Sequence, residues 1–265
     1  MRRRGQKPFD TVAKAAAVIL FAVLMDKSVQ AQSAVHAPGK VPTQVADFSG
    51  IWTDAEDQEK KFAHLKNFQL PYKPDWAEKY RLIRAKSQRG EHIHDGTSEC
   101  LPPGMPRFFI FLYPIEILET PGQVTILTEY FNETRRIFTD GRPHPKPDDL
   151  EPTFRGHSIG HWEGKTLVVD TVGVRGDTLF SAAGAPHSDQ MHIIERIHAT
   201  GPNNLDWNAT VEDPVALTTP FIINAKLKRA PATDEIREYV CEESRNHDVY
   251  APATPDDAPA NTPQP

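Results

Sequence analysis

Prolines interrupt this chain so often that no long helix can run through it: 24 of the 265 residues are proline, against 15 glycines. Proline cannot donate to a helix ladder and clashes with the preceding turn. Helical bundles and coiled coils are therefore excluded, and the chain must fold from short segments. From Arg107 onward those segments are rich in β-branched and aromatic residues and are separated by turn signals: Thr120-Pro121-Gly122, Asp140-Gly141, Glu163-Gly164 and Gly201-Pro202-Asn203-Asn204. That is the pattern of antiparallel strands.

Two hairpins are legible, Val124 to Phe131 with Arg135 to Thr139, and Arg155 to Trp162 with Leu167 to Val172. A first strand is predicted within Asp47 to Trp52. Later ones are predicted at Gln190 to Ala199, Leu205 to Glu212, Phe221 to Lys228 and Glu235 to Cys241. Consecutive strands with short links form a meander, and a sheet of this size tends to curl and close. The predicted fold is mainly β: an antiparallel up-and-down barrel with one or two flanking N-terminal helices. Residues 55–67 and 75–89, free of Gly and Pro, are the helical candidates. One barrel domain is expected over 47–250.

The N-terminus reads as an export signal. Arg2, Arg3, Arg4, Lys7 and Lys14 precede the apolar run Ala15 to Met25, and Val29-Gln30-Ala31 offers small residues for cleavage. The run is shorter than the roughly 20 apolar residues a membrane helix needs. Residues 1–31 are thus expected to be a signal peptide, 32–46 a flexible lead-in, and 251–265, rich in Pro, Ala and Asp, a disordered tail. Cleavage removes a net four positive charges and takes the formal charge from -6 to -10. An acidic chain of this kind is no nucleic-acid binder, and no membrane contact is expected after cleavage. A periplasmic or secreted protein with two cysteines, Cys100 and Cys241, is expected to join them in a disulfide. The oligomeric state is left open.

The segments PGMP (103–106), PIEILETPG (114–122), DGRPHP (140–145), GHSIGHWEGKTLVVDTVG (156–173), PHSDQMHIIERI (186–197) and VEDP (211–214) resemble a family of exported, mostly uncharacterised bacterial proteins. The resemblance spans roughly Asp47 to Glu243 and brings no activity with it. Gly50-Ile51-Trp52 is similar to the G-x-W opening of lipocalin-like barrels, which implies that fold.

Eleven histidines, seven of them between His144 and His247, ask for a chemical reading. His157 and His161 share one strand face. No H-E-x-x-H or equivalent motif defines a metal site, so no metal ligands are assigned, although the histidine cluster keeps a metal-binding protein among the alternatives. On the strand beginning at Gln190, Glu195 interrupts the face made by Met191, Ile193 and Ile197. A carboxylate pointing inward there is desolvated and suited to acid–base work. Arg136, alternating with Phe138, is its expected partner or an anion clamp, and a structural Glu–Arg pair is the equal alternative. His157, His187 and His192 are candidate acid–base residues, with Asp213 orienting one of them. Tyr130 and Trp162 are candidate pocket walls. No phosphate-binding Gly loop and no G-x-S-x-G elbow is present, so no nucleotide cofactor is expected. These residues suggest an enzyme of lyase or isomerase type acting on a small, partly apolar or cyclic substrate inside the barrel. A non-catalytic carrier of a small ligand remains the alternative.

Overall fold

The structure is a computed structural model that describes residues 47–56, 69–110 and 113–241. The expected signal peptide, lead-in and tail lie outside these residues, as does the helix expected over 55–67 from residue 57 onward. In chain order the elements are β1 (Gly50–Asp54), α1 (Pro74–Gln88), β2 (Ile115–Thr120), β3 (Gln123–Thr128), β4 (Glu133–Phe138), β5 (His157–Glu163), β6 (Thr166–Val172), β7 (Leu179–Ser181), β8 (Ala185–Pro186), β9 (His192–Gly201), β10 (Asn204–Glu212) and β11 (Phe221–Arg229). Helix α1 begins where expected. Pro74 occupies the first turn, where its missing N–H costs nothing, and Asp75 complements the positive end of the helix. Trp76 and Tyr80 turn its inner side toward the core.

Nine strands close into a barrel in the order β1-β11-β10-β9-β6-β5-β4-β3-β2, so the meander order holds around the ring. The expectation of a wholly antiparallel barrel does not: β4 and β5 pair in parallel, through Ile137–Ser158 and Phe138–Ile159. The reason is parity. Alternating directions cannot close a ring with an odd number of strands, so at least one neighbouring pair must run the same way. A parallel pair needs a long crossover, and the Pro-rich connection from Thr139 to Gly156 supplies it. Gly156 ends that crossover with φ +66, and a Cβ there would lie 2.5 Å from the Val172 carbonyl oxygen, so only glycine lets β5 enter so close to β6.

The predicted strand Glu235 to Cys241 is also corrected. The edge of β11 is already taken by β1, through Trp52–Arg229, Thr53–Lys228 and Asp54–Leu227. The C-terminal segment instead runs outside the sheet as a strap, its backbone held by side chains: Arg237 N donates to Glu129 Oε2 at 3.2 Å and Tyr239 N to Asn132 Oδ1 at 3.1 Å. Asn132 Nδ2 donates back to the Tyr239 carbonyl at 2.6 Å. The strap ends at Cys241, disulfide-bonded to Cys100 with a Cα–Cα distance of 5.6 Å.

Along every long strand, alternate residues point inward. Trp52, Ile117, Ile126, Ile137, Leu167, Ile193 and Ile197 are each no more than 1% exposed, and these side chains occupy the barrel centre. Arg135 and Glu195 share it.

Candidate acid–base site on the barrel wall

Glu195 faces inward as its strand pattern implies, with no exposed surface. Its partner is not Arg136 but Arg135. Strand β3 sets the frame: its inward residues Val124 and Ile126 stand opposite Ile137 and Arg135, which turns Arg136 and Phe138 to the outer face. Arg135 Nη1 donates to Glu195 Oε1 at 2.9 Å, and Nη2 reaches Glu195 Oε2 to complete a fork. The guanidinium also donates to Ser158 Oγ at 3.0 Å and Thr171 Oγ1 at 2.9 Å, while Trp207 Nε1 donates to Glu195 Oε1 at 2.9 Å. Both carboxylate oxygens are occupied within the packed core. This arrangement satisfies a buried charge pair, and it leaves Glu195 no direction from which a substrate could approach.

His187 and Asp213 are likewise committed to structure. His187 is 1% exposed; its Nδ1 lies 2.9 Å from the Ser188 carbonyl and its Nε2 2.8 Å from Thr178 Oγ1. Asp213 does not orient it. The carboxylate accepts instead from Ser188 N and Oγ, each at 2.7 Å, and from Val215 N and Ala216 N, stitching the loop before β9 to the turn after β10. Tyr130 stacks on Tyr113 at 4.7 Å and packs against Tyr239 at the far end of β4 from Phe138, where burial pushes its hydroxyl up to about 12. Trp162 packs on Phe48 at 5.1 Å against the core.

The remaining two candidates, His157 and His192, come together on the outer wall. His157 pairs with Val172, and one step past the Thr171–Ile193 pair Val172 stands beside His192, which pairs with Glu212. The result is a row across β5, β6, β9 and β10. Asp170, two residues before Val172, shares this outer face. His144 folds back onto it from the crossover and links the row: its Nδ1 lies 2.8 Å from His157 Nδ1 and its Nε2 3.1 Å from Asp170 Oδ1. His192 Nε2 lies 2.8 Å from the same Asp170 oxygen, and His192 Nδ1 3.5 Å from Glu212 Oε2.

Hydrogen-bond bookkeeping assigns the protons along this string. A carboxylate only accepts, so both His144 and His192 present Nε2–H to Asp170. A neutral His144 then has its lone pair on Nδ1, which can only accept. His157 must therefore donate from Nδ1, and its Nε2 carries a lone pair. Burial, followed by repulsion from His144 whenever that ring is protonated and from Arg142, holds His157 below the ordinary imidazole value, which keeps that lone pair available at neutral pH. Sequence reasoning missed His144 and Asp170. Asp170 was findable, because it breaks the apolar run of TLVVDTV at an outward position; the return of His144 across a long loop has no local signal.

The string consists of pairwise contacts. Among the described residues no three His, Cys, Asp or Glu side chains are grouped so as to hold a metal ion. No protein-family model matches this chain, and a search of curated proteins finds no significant relative.

Proposed function

We propose that the protein is an exported acid–base enzyme of lyase or isomerase type whose base is His157, working on the outer wall of the barrel rather than in its interior. The observation that carries this reading is the hydrogen-bonded string His157–His144–Asp170. His157 Nε2 takes a proton from a small substrate. The positive charge that develops is relayed through the Nδ1–Nδ1 hydrogen bond toward the Asp170 carboxylate, which costs less than leaving an imidazolium uncompensated. His157, once protonated at Nε2, returns that proton to the product carbon or leaving group, while His192, held between Asp170 and Glu212, fixes the carboxylate that His144 donates to. The basic, apolar N-terminus and the Cys100–Cys241 disulfide support an oxidising destination.

The test is proton exchange. Purified protein is incubated in D2O with a metabolite extract, and deuterium incorporation and new masses are read by mass spectrometry. The expected result is labelling or conversion of a small set of compounds by the wild type, lost in His157→Gln at unchanged melting temperature. No labelling by the wild type, or equal labelling by the variant, contradicts the reading. Reversible retention of a compound without exchange would instead identify a carrier.

A further inference from the structure

We propose that Arg136, on the outer face of β4 with Phe138, and Arg142, stacked on the Phe138 ring, form an anion subsite that holds the carboxylate of the substrate on which His157 acts; this rests on the acid–base reading above. Arg136 and Phe138 alternate on the outer face of β4, so their side chains project from the same side. Arg136 is exposed, and among the described residues it makes no ion pair within 4.0 Å. Arg142, on the crossover that also carries His144, lays its guanidinium 3.9 Å from the Phe138 ring centre. Asp140 pins it through Nε, at 2.9 and 3.0 Å, and through Nη2, which leaves the Nη1 edge out of that pair.

The base stands beside them. The His157 ring centre is 5.5 Å from that of Phe138, and Arg136 and His157 each immediately precede the paired residues Ile137 and Ser158. Arg142 lies close enough to act on the His157 imidazole, and Arg136 projects from the same outer face of β4, on a chain whose net charge is -6. With Arg142 paired to Asp140 and Arg136 in no ion pair among the described residues, the group carries one net positive charge, which favours an anion where the protein as a whole repels one. The planar fork of Arg matches a carboxylate in geometry as well as charge. A carboxylate held there would bring the carbon next to it toward His157 Nε2, and an enzyme that removes a proton from that carbon needs such an anchor.

The experiment uses the full chain labelled with 15N-histidine and follows the His157 titration midpoint by NMR. The charged and titratable groups about His157 are His144 and Arg142 from the crossover, with Asp170 of β6 behind His144 and Asp140 paired to Arg142; Arg136 projects from β4 on the same outer face. Acetate and phosphate are each added against chloride at matched ionic strength. An anion bound beside the imidazole stabilises its protonated form, so acetate should move the midpoint upward relative to chloride. The shift should shrink in Arg136→Gln and vanish in the Arg136→Gln, Arg142→Gln double variant. No shift with either anion overturns the subsite, and a phosphate shift without an acetate shift overturns the carboxylate assignment. The anion-free spectrum tests the base reading separately: a lone pair on His157 Nε2 without a shift from either anion removes the subsite alone, whereas a proton on that nitrogen removes the base reading.

Discussion

The Nδ1 atoms of His144 and His157 stand 2.8 Å apart, so one of the two nitrogens carries the shared proton and the other accepts it. Which one does so is decided by Asp170 at the far side of the His144 ring. Asp170→Asn keeps an oxygen that can accept but removes the charge that stabilises the imidazolium. Proton exchange by the variant is expected to fall about 100-fold or more, the size of a general-base contribution. Stability should change by less than about 1 kcal/mol, since Asp170 lies on the solvent side of the wall. Comparing exchange rates with urea unfolding checks both halves; equal activity in the variant would remove Asp170 from the relay.

The Arg135–Glu195 pair makes a different prediction, because it is structural. Glu195→Gln leaves a buried guanidinium without its counter-charge and should lower stability by about 3 to 5 kcal/mol. Replacing both partners, as in Arg135→Met with Glu195→Leu, removes the stranded charge, and that protein should be more stable than the single variant. Denaturant unfolding of the three proteins decides it. A single variant within 1 kcal/mol of the wild type would show that the pair is not buried as described.

Two imidazoles tie stability to pH. Burial pushes the His187 imidazole down despite its hydrogen bond to the Ser188 carbonyl, and His157 is lowered by burial and by His144 and Arg142. In each case the unfolded chain binds the proton more readily than the folded one. Stability is therefore expected to fall as pH drops through the ordinary imidazole value of about 6.5 and to keep falling until the folded groups also protonate. Unfolding free energies at pH 7.5 and 5.5 measure the slope. His187→Gln should flatten it, and a slope unaltered in that variant would contradict the assignment.

The disulfide joins positions 141 residues apart. In the chain-entropy description a loop of that length is worth up to about 5 kcal/mol. Cys100→Ser combined with Cys241→Ser should lose a substantial part of this in an unfolding titration under non-reducing conditions. An unchanged midpoint would mean that the strap does not restrain the unfolded chain.

Much of the barrel was legible because alternation and turn chemistry act locally. The β5–β6 hairpin follows from Gly164, whose φ of +61 the Glu163-Gly164-Lys165 turn requires, and the inward position of Glu195 follows from Ile193 and Ile197 on either side. Arg136 was misassigned because two arginines in succession fit either frame of β4: Arg135 with Ile137, or Arg136 with Phe138. Only the register against Val124 and Ile126 separates them, and register is a tertiary fact. The strap over residues 235–241 alternates like a strand, yet β1 had already closed the edge it would have joined. In the site, His157 and His192 were legible as candidates. Their link was not, since it depends on where the Pro-rich crossover returns His144 to the wall.

The nitrogen chemical shifts of His157 report which ring carries the shared proton. In a 15N-histidine spectrum of the full chain at neutral pH, the string predicts a protonated Nδ1 and an unprotonated, pyridine-type Nε2 on His157, with His144 protonated at Nε2. A His157 protonated at Nε2, with its lone pair on Nδ1, would reverse the direction of the string and contradict the assignment of His157 as the base.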